Sequence, residues 1–153
     1  MSAEARLAEL GITVPEVVPP VAAYQPTART GNLVFTAGQL PARDGEMIAV
    51  GKLGGEVSEE QGYECARQCA LNALAAVKAE IGSLDQVKRV VKVVVFVAST
   101  PDFTGQPKVA NGASELMQEV FGEAGRHARS AVGVPVLPLG VAVEVDAVVA
   151  VRR

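Results

Sequence analysis

Tryptophan is absent from this 153-residue chain, histidine occurs once and cysteine twice. Each scarcity closes a class of chemistry. One histidine and two cysteines leave a zinc site short of ligands. Any Ser-His-Asp arrangement must use His127, and a strand-start histidine beside Arg126 and Arg129 is poorly suited to act as a general base. Cys65 and Cys69 stand four residues apart, on one face of any helix and awkwardly placed for a disulfide. They read as small core residues. Aromatic residues make up 4% of the chain, and 14 basic residues face 17 acidic ones, a net charge of −3. That leaves little to neutralise phosphates or stack on bases, which argues against nucleic acid. No apolar run reaches the roughly 18 residues of a membrane span. The longest candidate, Val87 to Ala98, is broken by Lys88, Arg89 and Lys92. The start, Met-Ser-Ala-Glu-Ala-Arg, carries no signal-peptide pattern, so a cytoplasmic location is expected. A phosphate-cradling glycine loop and a nucleophile elbow are also missing.

What is present is core. Apolar residues make up 49% of the sequence, enough for one domain of this length. Ala3 to Leu10 reads as a short amphipathic helix with Leu7 and Leu10 inward, and Pro15, Pro19 and Pro20 force an extended segment after it. Asn32 to Thr36 is rich in strand formers. Ala42-Arg43-Asp44-Gly45 is a turn signal, with Met47 to Val50 returning as the second strand of a hairpin. Ser58 and Gln61 form a capping box ahead of a helix from Glu59 to Ile81, whose stripe of Ala66, Cys69, Ala70, Ala73, Leu74, Val77 and Ile81 is suited to close packing. Gln86 to Ala98, dense in valine, predicts a central strand buried on both faces. A second helix is expected over Lys108 to Phe121. A short strand follows over Arg129 to Val134, and a long one over Val141 to Val151 with Glu144 and Asp146 sharing a face. The order β-β-α-β-α-β-β predicts a two-layer α+β domain with one apolar sheet face left uncovered, hence an oligomer.

Three polar features stand out against this background. Arg129 opens the apolar stretch Ser130-Ala131-Val132-Gly133-Val134 and needs a carboxylate partner. Glu144 or Asp146 on a neighbouring strand would make that partner structural, whereas a ligand carboxylate would make the arginine a clamp. Glu144 lies inside Val141-Ala142-Val143-Glu144-Val145-Asp146. Burial there would raise its pKa and suit it to proton transfer or water activation, while a solvated strand face or a pairing with Arg129 is the plainer reading. Gly38, in Thr36-Ala37-Gly38-Gln39-Leu40-Pro41, either lets backbone approach a ligand or simply ends a strand.

Taken together these residues resemble the RidA family, also called YjgF/YER057c/UK114. Three blocks between about Tyr24 and Arg153 carry the likeness: Arg29 to Pro41; Val91 to Phe103; and Ala128-Arg129-Ser130-Ala131-Val132 followed by Leu137-Pro138 and Val143-Glu144-Val145-Asp146-Ala147. The resemblance divides the chain into an extension, residues 1–23, and a RidA-like domain, residues 24–153. It implies a chorismate-mutase-like fold and a homotrimer whose sheets line a central barrel, with clefts between subunits. It also implies hydrolysis of reactive enamines and imines, such as 2-aminoacrylate, to 2-keto acids and ammonia, without metal or organic cofactor. By the same resemblance Arg129 would bind the substrate carboxylate and Glu144 would position or activate water. Tyr24 would line the cleft from the neighbouring subunit, the backbone at Gly38 and Gln39 would touch the ligand, and Asn111 would sit at the cleft with Ala131. Many members carry cysteine where Ala131 stands and serine where Ala37 stands, and a Gly-Pro-Tyr segment appears as Ala22-Ala23-Tyr24. Those departures and the longer loops mark a divergent subgroup. The alternatives of other classes are a non-catalytic module that binds small carboxylates or a protein partner, and an endoribonuclease or translation inhibitor.

Overall fold

The computed structural model describes residues 1–153 apart from residues 18 and 21. Its longest helix, α2 over Glu59–Ile81, begins where the capping box predicts: the Ser58 hydroxyl accepts the Gln61 N–H, and the Gln61 side chain accepts the Ser58 N–H. The small stripe Ala66, Cys69, Ala70 and Ala73 is fully buried. A second helix, α3 over Gln106–Phe121, packs beside it. Gly112 of α3 lies so close to the Tyr63 carbonyl that a Cβ could not be added without moving backbone, which explains glycine in a helix interior. The N-terminal helix α1, Ala3–Leu10, is capped by Ser2. It is tied down by Glu4, which accepts from Lys78 and from the Leu84 N–H. Ala3 and Leu7 join the main core, while Leu10, expected inward, is exposed. The extended segment expected from Pro15, Pro19 and Pro20 includes positions 18 and 21, which lie outside the described residues.

Among the described residues the strands, in chain order, are β1 Thr27–Thr30, β2 Leu33–Thr36, β3 Ala42–Arg43, β4 Glu46–Met47, β5 Val87–Ala98, β6 Ala128–Val134 and β7 Val143–Val151. The main sheet has the order β1-β2-β7-β5-β6, and β3 pairs with β4 in a separate ladder. The hairpin partner of β2 is therefore β1, not the segment Met47 to Val50. The turn at Asp44-Gly45, with φ of 54° and 82°, closes the separate two-residue ladder β3–β4. β5 and β6 run parallel, joined through α3, and the remaining pairings of the main sheet are antiparallel. This order places β5 between β6 and β7, so Arg129 and the acidic pair of β7 are not on neighbouring strands.

Alternation along each strand sorts the two sheet faces. Val34, Val90, Val93, Val95, Val97, Val143, Val145 and Val149 meet α2 and α3 and are wholly buried. The opposite face carries Phe35, Lys92, Val94, Phe96, Val132, Glu144, Asp146 and Val148, in register with one another. Within one chain β5 is thus buried on one face, not on both, and Phe35 and Val132 remain 42% and 43% exposed. The two-layer α+β architecture read from the sequence is the one observed. Among the described residues no helix is long and apolar enough to cross a membrane.

Candidate active site

Two places gather the polar residues singled out in the sequence. The first is the outer strand β6, where it meets α3. Arg129 is in register with Val93, so it projects to the helix-covered side of the sheet. There its Nη1 donates to Asn111 Oδ1 at 2.8 Å and to Ser114 Oγ at 3.1 Å. Both partners stand on α3, three residues apart, which puts them on one helical face. Both are neutral. Among the described residues no carboxylate lies within ion-pair distance of Arg129, and the pairing with Glu144 or Asp146 does not form in one chain. Nη1 is engaged by protein, and among the described residues no hydrogen bond is made on the Nε–Nη2 edge, an edge that can take a carboxylate with two parallel bonds. Ala131 lies two residues on, on the same side, packed against the core.

His127 completes this corner. Its Nε2 lies 2.8 Å from Ser114 Oγ and its Nδ1 lies 2.6 Å from the Gly125 carbonyl. Burial pushes its pKa down, the Gly125 carbonyl opposes that, and the charge of Arg129 adds to the depression. Reading His127 only as a failed base missed it. The available signal was the Asn111–Ser114 spacing on the apolar face of α3, which brings a second polar group to the arginine.

The second place is on the open face of β7. Glu144 is in register with Phe96, and Asp146 with Val94. Burial raises the pKa of Glu144, and Asp146 nearby raises it further. Asp146 is raised by burial too, with Lys92 pulling it back. Among the described residues neither has a cation within ion-pair distance. The chain after β2 is pinned beside them: Gln39 and Val145 exchange backbone hydrogen bonds of 2.7 and 3.0 Å. Gly38 then sits so near the Glu144 carboxylate that a Cβ there would overlap Oε2. A side chain here would have to displace the Glu144 carboxylate, the end of a flexible chain, so glycine keeps that carboxylate in its present place. Tyr24, Gly38, Gln39 and Leu139 line a cavity of about 100 Å³ at this end of the sheet. Tyr24 is 47% exposed and Leu139 71%.

One chain therefore brings Arg129, Asn111 and Ala131 together at β6, and Tyr24, Gly38 and Gln39 together near Glu144. It does not bring Arg129 to Glu144, since their strands are separated by β5 and their side chains leave opposite faces. Cys65 and Cys69 contribute no nucleophile. Burial raises the Cys65 thiol to about 11 and holds Cys69 well above its usual value. Among the described residues no group of His, Cys, Asp and Glu could hold a metal ion.

The profile of the family described as "YjgF/chorismate_mutase-like, putative endoribonuclease" matches residues 4–149. The chain is 49% identical to Protein TCP17 of Trypanosoma cruzi, over 95% of this chain and 91% of that one. It is 30% identical to the 2-iminobutanoate/2-iminopropanoate deaminase of Dermatophagoides farinae, over 92% and 95%. The crystal structure of Atu1372 from Agrobacterium tumefaciens, a protein of unknown function, superimposes with a TM-score of 0.91 at 44% identity, covering 98% of this chain and 92% of that one. The YjgF gene product of E. coli superimposes with a TM-score of 0.67 at 30% identity, covering 90% and 94%. The chain belongs to the YjgF/chorismate-mutase-like family, that is, to the RidA family, and has its fold.

Proposed function

We propose that this chain hydrolyses small 2-imino or 2-enamino carboxylates to 2-keto acids and ammonia. The observation that carries the reading is Arg129: a half-buried guanidinium whose Nη1 is held by two neutral acceptors and which, among the described residues, has no carboxylate in ion-pair range and no hydrogen bond on Nε or Nη2. Such a charge is stabilised by an anion brought by the ligand. The enamine tautomerises to the imine by gaining a proton at carbon and losing one from nitrogen. Water adds to the imine carbon, and the carbinolamine collapses to the keto acid as ammonia leaves. Glu144, with its pKa raised by burial, is suited to take a proton from that water and return it to the leaving nitrogen. Orientation supplies much of the rest, because an imine carbon accepts water readily. The relative from Dermatophagoides farinae is named for this chemistry.

The opposite placement of Arg129 and Glu144 supports a further part of the reading. The site is completed between copies, Arg129 of one chain facing Glu144, Gly38 and Tyr24 of the next, in a homotrimer that also covers the open sheet face. The test is a coupled assay in which a pyridoxal-phosphate dehydratase generates 2-aminoacrylate from serine, with keto-acid release followed in time. Acceleration by this chain, lost at least 100-fold in Arg129→Ala, is the expected result, that factor corresponding to about 3 kcal/mol for a charged pair. Light scattering on the same sample reads the trimer. The second reading is a carboxylate-binding module without turnover. It is favoured by the fact that one copy holds the arginine without the glutamate, and it predicts binding in the absence of acceleration.

A further inference from the structure

We propose that His127 is a positioning residue that sets Arg129 through the Ser114 hydroxyl. The argument is one of donors and acceptors. A carbonyl oxygen only accepts, so the 2.6 Å contact to Gly125 places the proton of the neutral ring on Nδ1. Nε2 is then a lone pair, and the 2.8 Å contact makes Ser114 the donor to it. With its own hydrogen committed, the Ser114 oxygen presents lone pairs only, and Arg129 Nη1 donates to it at 3.1 Å. The polarity of every link is fixed from the Gly125 carbonyl outward: His127 gives to Gly125, Ser114 gives to His127, Arg129 gives to Ser114. A serine free to rotate would offer the guanidinium either its lone pairs or its hydrogen, and the second repels it. His127 removes that choice.

The setting suits the role. Ser114 is buried, 7% exposed, so its orientation is decided by protein groups and not by water. Asn111 holds the same Nη1 from one helical turn away, which leaves the guanidinium pinned at one nitrogen by two acceptors and free along its other edge. The ring also lies where a second positive charge would face Arg129, and burial together with that charge favours its neutral form. Neutrality is what the relay requires, since an imidazolium would donate to Ser114 and reverse the link.

The inference rests on Arg129 being the carboxylate clamp, and its test reads binding as well as turnover. Pyruvate affinity is measured by calorimetry on the full-length chain, with KM and kcat taken from the coupled assay. His127→Asn keeps a polar group on the Nδ1 side and loses the partner of Ser114, whereas His127→Gln reaches the Nε2 position and can still accept from it. His127→Asn, and likewise Ser114→Ala, are expected to weaken pyruvate and raise KM about 3–10-fold with kcat within twofold, the size of one hydrogen bond. His127→Gln is expected to stay within twofold of the unaltered chain. Because the chain has a single histidine, its ring resonances also read the tautomer directly, and the proton is expected on Nδ1. Equal effects of the Asn and Gln substitutions, or a proton on Nε2, overturn the relay. Pyruvate binding without turnover leaves the relay standing and sinks the hydrolase. Failure to bind pyruvate, or binding that Arg129→Gln leaves unchanged, overturns both.

Discussion

The two faces of the main sheet are built from the same strands and differ in almost every respect. On the covered face valines meet α2 and α3 and admit no water: Val93, Val95, Val97, Val143 and Val145 are each wholly buried. On the open face, one residue along each strand, Phe96 lies beside Glu144 and Val94 beside Asp146. Both carboxylates there are only partly shielded. Apolar packing and partly buried carboxylates are thus separated by the two-residue period of a strand, with no division into domains. The covered face is apolar except at its edge, where β6 carries Arg129. The open face tolerates unpaired carboxylates because the covered face stabilises the fold.

The largest difference is expected from removing the same atoms on each face. Val95→Ala takes two buried methyls from a packed core and is expected to cost about 2–3 kcal/mol, or roughly 4–12 °C in Tm. Val94→Ala, next along the chain and half-buried on the open face, is expected to cost under about 1 kcal/mol in an isolated protomer. Thermal melts across a hundredfold range of protein concentration check this. If the Val94 substitution costs as much as the Val95 one, and the cost varies with concentration, a second copy covers the open face and the contrast belongs to the protomer alone.

A second substitution separates chemistry from stability. Gly38→Ala places a methyl where the Glu144 carboxylate now lies, and the carboxylate, at the end of a flexible side chain, must give way. Turnover in the coupled assay is expected to fall about tenfold or more, because a displacement of an ångström at a reacting group is costly. Stability is expected to change by less than about 1 kcal/mol, since no core atom moves. A Tm loss as large as that of Val95→Ala, with turnover intact among the folded molecules, would place Gly38 in the structural class and detach it from the site.

How much of this was readable in advance follows from which interactions are local. Helix α2 is set by Ser58, Gln61 and Gly82 within its own sequence, and its limits are those the pattern gives. The alternation in β7 likewise announces that Glu144 and Asp146 share a face. What sequence spacing could not supply was lateral order. That β5 separates β6 from β7 is a matter of long-range pairing. The turn of β2 back to β1 is local, closed by Gly31-Asn32 with Gly31 at φ 54°, and the sequence reading passed over that turn in favour of the one at Asp44-Gly45. The glycine at position 38 gave a hint of close approach without its target, which is a side chain about a hundred residues further on. His127 was discounted because its arginine neighbours in sequence argued against a base. Its contact with Ser114 is visible only once α3 brings that residue beside it. The family resemblance named Arg129 and Glu144 from short blocks. It could not show that a single chain aims them in opposite directions.

The smallest effect concerns charge, and its sign is fixed by the same contrast. Burial raises the Asp146 pKa above its usual 3.8, with Lys92 partly offsetting the rise. A carboxyl whose pKa is higher in the folded state prefers to be neutral there. Its contribution to stability is fully present below its unfolded value and is lost as pH rises through the folded one. Ionised Asp146 is therefore mildly unfavourable near neutrality. Asp146→Asn is expected to raise Tm by roughly 1–2 °C at about pH 7 and to change nothing at about pH 3.5, the gain being small because the group is only partly buried and solvent screens its charge. A decrease at neutral pH would mean that attraction to Lys92 outweighs desolvation. A gain several times larger would mean the open face is drier than one chain makes it, as it would be with a second copy against it. The interior of the covered face, which holds only neutral side chains beneath β5 and β7, has no counterpart to this titration. A pH-dependent Tm that survives both Asp146→Asn and Glu144→Gln would have to come from elsewhere in the chain.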